Sequence, residues 1–153
     1  MIIKILPRQK EVVEVVSRWI FSEWSHLDPH VSFEVLSEEL RRRAESRDIP
    51  LTLVAFDGDK PVGTASLVND DLDSHHHLSP WLANVFVHPS FRAQGIGAAL
   101  CRQVVEEAKR LGLRKIYLYT SQQQELYSSL GWIKSEEAFL NEIPISIMKR
   151  LLN

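Results

Sequence analysis

The fold class this sequence predicts is α/β: a mixed sheet with helices on both faces. Three observations lead there. Two β-prone runs flank a hairpin signal, Asp57-Gly58-Asp59-Lys60. Two apolar runs, Trp81 to Val87 and Lys115 to Tyr119, flank a long amphipathic stretch that begins near Ile96. Strand, helix, strand implies a parallel pair joined by a right-handed crossover. Before the hairpin, apolar residues recur at helical spacing in two segments. The sum is a mostly antiparallel sheet of about seven strands with about four helices.

Each element has a local reason. Ile2 to Leu6 is a short β-prone run closed by Pro7. Val12, Val16, Trp19 and Ile20, with Val13 and Val15 widening the stripe, predict a helix over Lys10 to Phe21 and place Trp19 in the core. The segment Glu23 to His30 is polar and aromatic and is broken by Pro29. Ser32 is a natural N-cap for a second helix reaching Ser46, with Leu36, Leu40 and Ala44 at four-residue spacing. Leu51 to Phe56 and Val62 to Val68 form the hairpin, and Asn69 to Ser79 is a polar loop.

Trp81 to Val87 is closed by His88-Pro89. Ile96, Leu100, Val104, Ala108 and Leu111 mark the long helix, with Gly112 as its cap. After Lys115 to Tyr119 comes a short helix over Gln123 to Leu130, ended by Gly131. Two last strands fit Trp132 to Phe139 and Ile143 to Met148.

Composition narrows the class of function. The 153 residues suit a single domain over residues 1–153. Eighteen basic residues against 20 acidic ones leave a net charge of −2, which disfavours bulk nucleic-acid binding. The longest apolar stretch, Ile49 to Phe56, contains Pro50 and is far shorter than the roughly 20 residues of a membrane span. The first residues do not read as a signal peptide, and Cys101 is the only cysteine. No membrane association and a cytoplasmic location are expected.

The chemistry concentrates in Val87-His88-Pro89-Ser90-Phe91-Arg92-Ala93-Gln94-Gly95-Ile96-Gly97-Ala98. Gly95 and Gly97 remove side chains where the chain turns from strand into helix. The first amides of a helix lack internal partners, and with the helix dipole they form a site for phosphate. A P-loop reading lacks Gly-Lys-Ser/Thr. A dinucleotide reading lacks the third glycine, since Leu100 stands there, and lacks an acidic residue after Tyr119. A bare glycine-rich helix start without a ligand remains open on these residues alone.

The wider pattern resembles the GCN5-related N-acetyltransferase (GNAT) family. Arg92-Ala93-Gln94-Gly95-Ile96-Gly97 is similar to its acetyl-CoA signature. Leu126-Tyr127-Ser128-Ser129-Leu130-Gly131-Trp132 is similar to its Tyr-x-x-Leu-Gly-Phe/Trp element, and Ile145 to Arg150 to its closing strand. The resemblance implies that the parallel strands splay apart at their C-terminal ends. It implies pantetheine against the backbone of Phe86 and Val87, and pyrophosphate on the amides of Gln94, Gly95, Ile96, Gly97 and Ala98, with Arg92 assisting. It implies an acetyl-CoA-dependent transfer to a primary amine by direct attack, with Tyr127 as general acid. A small-molecule or protein amine is the expected acceptor, and dimerisation through the late strands is an expectation from the family.

One part of the pattern is missing. Many members carry a glutamate on the strand before the signature, whereas Trp81-Leu82-Ala83-Asn84-Val85-Phe86-Val87 has no carboxylate. Substitute bases are His75, His76 or His77, since imidazole titrates near neutral pH, or Asp73 or Glu23, or solvent. The histidine run is equally a solvated loop, and no spacing here predicts a metal site. Glu23, Trp24, His77 and Trp81 are the candidates for touching acceptor. The acidic run Asn69-Asp70-Asp71-Leu72-Asp73 suits a cationic one. The competing reading is a non-catalytic acyl-CoA sensor or interaction module, motivated by the missing carboxylate.

Overall fold

The computed structural model describes residues 1–153. Seven strands are β1 (Ile2–Ile5), β2 (Leu51–Asp57), β3 (Lys60–Val68), β4 (Trp81–Val87), β5 (Lys115–Thr120), β6 (Ile133–Leu140) and β7 (Ile143–Leu151). Four helices are α1 (Lys10–Trp24), α2 (Phe33–Arg43), α3 (Ile96–Arg110) and α4 (Gln124–Ser129). The sheet order is β1-β2-β3-β4-β5-β7-β6. Every neighbouring pair is antiparallel except β4 and β5. This is the mixed, mostly antiparallel α/β architecture that the sequence predicts.

Strand alternation assigns the two faces. Leu51, Leu53 and Ala55 of β2 pack with Leu100, Val104 and Ala108 of α3. Val54 and Phe56 point the other way, to Val12, Val16 and Ile20 of α1 and Leu40 of α2. Helices therefore cover both faces of the hairpin. Gly63 lets α3 approach closely. A Cβ there would stand 3.0 Å from Leu100 Cδ1 and 3.1 Å from the Phe86 carbonyl oxygen.

Helix ends differ from expectation for tertiary reasons. α1 continues to Trp24, past the predicted end at Phe21, because no breaker intervenes before Pro29. Glu23 and Trp24 thus belong to its last turn. α2 starts as predicted, with the Val35 amide donating to Ser32 Oγ at 3.1 Å. It stops at Arg43 and not at Ser46, because the Glu45 amide donates to the Leu6 carbonyl at 2.7 Å and turns the chain away. β7 runs to Leu151, three residues beyond Met148, because β5 offers partners as far as Lys115.

Two features of β4 shape the centre. Its parallel register with β5 consists of Trp81 opposite Tyr117 alone, so the strands pair at their start and then separate. Toward β3, Ala83 faces Ser66 and Phe86 faces Thr64, so Asn84 and Val85 together oppose Ala65. Asn84 adopts φ +55°, a left-handed conformation that asparagine tolerates better than most residues. This bulge bends the strand where it leaves β5.

Candidate active site

The split between β4 and β5 opens onto two cavities that share Val85. The first, about 480 Å³, lies between the end of β4 and the start of α3. The second, about 300 Å³, lies deeper along the split.

The start of α3 carries the chemistry of the first cavity. Gly95 caps the helix at φ +81°, and Ala93 before it also has positive φ. Ala99 is the first amide to donate back, to the Gly95 carbonyl at 3.0 Å. The amides of Ile96, Gly97 and Ala98 precede that bond and have no helical partner. Gly97 leaves room beside them, since a Cβ there would lie 3.6 Å from Val87 Cγ2. These amides are donors at the positive end of a 15-residue helix, as a pyrophosphate requires. Opposite them, β4 beyond Trp81 has no strand partner on its β5 side. An extended amide-bearing chain can pair with that edge.

Most of the predicted donor-binding residues line this first cavity. Phe86, Val87, Arg92, Gly95, Ile96, Gly97 and Ala98 do so. Gln94 does not; it is an exposed residue of the turn. The Ile96 side chain is buried in the core, so it offers the cleft its backbone. Arg92 folds back onto the strand. Its Nε donates to the Val87 carbonyl at 2.8 Å, and its guanidinium lies 5.5 Å from the Phe86 ring centre. Phe86 also stacks on Trp19, with centroids 5.2 Å apart. Trp19 is half-buried, packed on the core cluster of α1 and α2 as well as on Phe86.

Tyr127 lines the second cavity. The turn before α4 is fixed by the Gln123 amide donating to Thr120 Oγ1 at 2.9 Å. α4 itself is tied to β7 by Ser146 Oγ donating to Gln124 Oε1 at 2.9 Å. The Tyr127 ring packs edge to face on buried Trp132. Burial, and then the neighbouring Cys101, hold the hydroxyl above the ordinary tyrosine range. Cys101 is buried as expected, and burial pushes its thiol up to about 12. Both groups stay protonated at neutral pH.

The predicted acceptor residues do not form one group. Trp24 lines the second cavity and Glu23 the first. Trp81 corrects the expectation that it borders the pocket, because it is fully buried. Its Nε1 donates to the Leu78 carbonyl at 2.7 Å, and its ring supports Tyr119, whose centroid lies 6.3 Å away. Tyr119 is the residue that lines the cavity. His77 lines neither cavity. It stacks on His75, whose Nε2 lies 3.4 Å from Glu136 Oε1, and His76 pairs with Asp70. His75 alone reaches β6, and none of the three histidines lines either cavity. Asp73 does line the second cavity, joined there by Asp71 of the same acidic run, by Asn84, and by Asp28, which the sequence alone did not mark.

A parallel pair that splits beside a free helix N-terminus, with a second cavity alongside, is the arrangement that the family resemblance implies. Residues 13–132 match the model of the acetyltransferase (GNAT) family. The chain belongs to that family and is a GNAT N-acetyltransferase.

Solved structures repeat the fold. An aminoglycoside 6′-N-acetyltransferase complexed with coenzyme A is 20% identical, with 99% of this chain and 97% of that chain covered and a TM-score of 0.77. The protein yncA from Salmonella typhimurium, with its cofactor acetyl-CoA, is 18% identical over 100% and 94%, with a TM-score of 0.72. A spermidine N-acetyltransferase chimera from Vibrio cholerae and hSSAT is 17% identical over 97% and 94%, with a TM-score of 0.70.

Proposed function

We propose that this enzyme moves acetyl from acetyl-CoA to a primary amine by direct attack, with Tyr127 as general acid. The observation that carries this reading is that both cavities meet at Val85. A donor along the first cavity brings its reactive end to the side of Tyr127.

Acetyl-CoA supplies an acetyl group activated as a thioester. The residues of the first cavity fit it. The amides of Ile96, Gly97 and Ala98 hold the pyrophosphate, with Gly97 providing clearance. Phe86 and Val87 present backbone to the pantetheine, and a β4 amide near Val87 polarises the thioester oxygen. Arg92 swings from the Val87 carbonyl toward the phosphates. Tyr127, kept protonated by burial, gives its proton to the leaving thiolate.

The second cavity takes the acceptor. Trp24 and Tyr119 offer aromatic walls, and Asp28 and Asp73 offer negative charge. That combination suits a cationic amine. Aminoglycosides and spermidine are the acceptors named for similar structures. A passive acyl-CoA sensor has no use for a second cavity lined by Tyr127 and three carboxylates. The late strands leave Ile133, Phe139, Ile143 and Leu151 exposed, which supports a second copy docking there.

Calorimetry with acetyl-CoA, followed by thiol release with spermidine and with kanamycin A, tests this reading. Binding with amine-dependent release of coenzyme A is expected. Binding without release under any amine overturns the transfer.

A further inference from the structure

The acceptor cavity holds three carboxylates, and they differ. Asp28 is exposed and accepts a hydrogen bond from the His30 amide at 3.1 Å. Asp73 is exposed at the start of a short 3₁₀ turn. Asp71 is half-buried, and its carboxylate has no hydrogen-bond or ion-pair partner. Its neighbour Leu72 fixes it in place, packing in the core with Trp81, Ala83 and Tyr117. Asp71 also lines an adjoining surface cavity of about 490 Å³.

Resting on the acetyl-transfer reading above, we propose that Asp71 is the general base that the β4 strand lacks. It lines the cavity shared by Asn84, Tyr119 and Tyr127. The other ionisable groups around it are Asp28, Asp73, Tyr119 and Tyr127 in one cavity, and Glu39, Arg43 and Asp70 in the other. The one cation among them, Arg43, is paired with Glu39 at 2.8 Å. Nothing permanent neutralises Asp71, so an incoming ammonium is its natural partner. Burial pushes the carboxyl up to about 8, which makes it a far stronger base than an ordinary aspartate.

The protons balance. The acceptor arrives as an ammonium and gives one proton to Asp71. Its nitrogen then bonds to the acetyl carbon as the carbon–sulfur bond breaks. Tyr127 protonates the thiolate, and the second proton of the nitrogen restores Tyr127. Asp71 releases its proton to water in the adjoining cavity, so one proton leaves per turnover.

The test compares wild type, Asp71→Asn, Asp71→Glu and Asp73→Asn. Acetyl-CoA affinity is measured by calorimetry, and coenzyme A release with spermidine across pH. The carboxyl carbons of the protein alone are titrated by NMR, with Asp71→Asn assigning the resonance. We expect Asp71→Asn to keep acetyl-CoA affinity within about twofold and to lose about 10²-fold or more in kcat. It should also lose the rise of kcat/KM near pH 8, which Asp71→Glu restores in part and Asp73→Asn leaves in place. The Asp71 carboxyl should titrate well above the ordinary range. A raised KM with unchanged kcat and pH profile overturns the proposal, as does an Asp71 titration in the ordinary range. Wild-type protein that binds acetyl-CoA but acetylates no amine overturns the transfer reading itself, and this assignment with it.

Discussion

Tyr127 meets Trp132 edge to face, with ring centroids 6.2 Å apart and planes at 71°. Trp132 is buried, and its amide donates to the Tyr127 carbonyl at 3.0 Å. A six-residue helix has little stability of its own, so this contact sets where the phenol points. Removing only the hydroxyl therefore isolates its chemistry. Tyr127→Phe should lower kcat about 10²-fold and leave acetyl-CoA affinity unchanged in calorimetry. Because burial raises the hydroxyl, wild-type activity should not fall as pH passes through the ordinary tyrosine range near 10. A fall there would mean that Tyr127 titrates freely and is not held as an acid.

Gly97 tests the pyrophosphate site without disturbing the fold. A Cβ meets only Val87 Cγ2 at 3.6 Å, an ordinary contact. Gly97→Glu should melt within a few degrees of wild type yet lose acetyl-CoA binding through steric and charge conflict. Thermal melts with and without acetyl-CoA check this, since bound ligand raises the midpoint only where it binds.

Gly63 couples the fold to the same site. A side chain there presses on Leu100 and on the Phe86 carbonyl, and a strand carbonyl yields poorly. Gly63→Ala should destabilise by about 1–3 kcal/mol in urea unfolding. It should also weaken acetyl-CoA binding, because α3 is moved off β4.

These glycines divide what could be read from the chain from what could not. β4 has the predicted bounds, because a continuous apolar run closed by His88-Pro89 announces itself locally. Gly95 and Gly97 stand where a strand-to-helix turn needs them, so the start of α3 was legible. The early end of α2 was not, since it needs a bond from the Glu45 amide to the Leu6 carbonyl. Trp81 looked like a pocket residue because it opens β4, but its side of the strand faces Tyr117 and Ile147. Asp71 resembles any loop carboxylate in sequence. Only the anchoring of Leu72 and the split of β4 from β5 bring it to the cavity.

Asp71 also predicts a stability signature. Its folded-state value lies near 8, against an ordinary aspartate value of 3.8. The folded chain thus holds a proton that the unfolded chain has released. Its favourable contribution is full below the lower value and is lost as pH rises toward the upper one. Between about pH 4 and 8 the slope is at most about 1.4 kcal/mol per pH unit. Glu14 and Glu137, whose carboxyls are lowered by Arg18 and Lys134, act in the opposite sense. Subtracting the urea-unfolding profile of Asp71→Asn from that of wild type isolates the term. The difference should favour the variant increasingly toward pH 8.

Joined cavities for a thioester donor and an amine should yield an acetylated amine. Mass spectrometry of spermidine incubated with the protein and acetyl-CoA, alongside the amount of coenzyme A released, tests it most directly. Acetylated spermidine is expected in equal amount to released coenzyme A, sharply reduced in Tyr127→Phe and in Asp71→Asn. Bound acetyl-CoA with no acetylated amine, or a yield untouched by Tyr127→Phe, would contradict it.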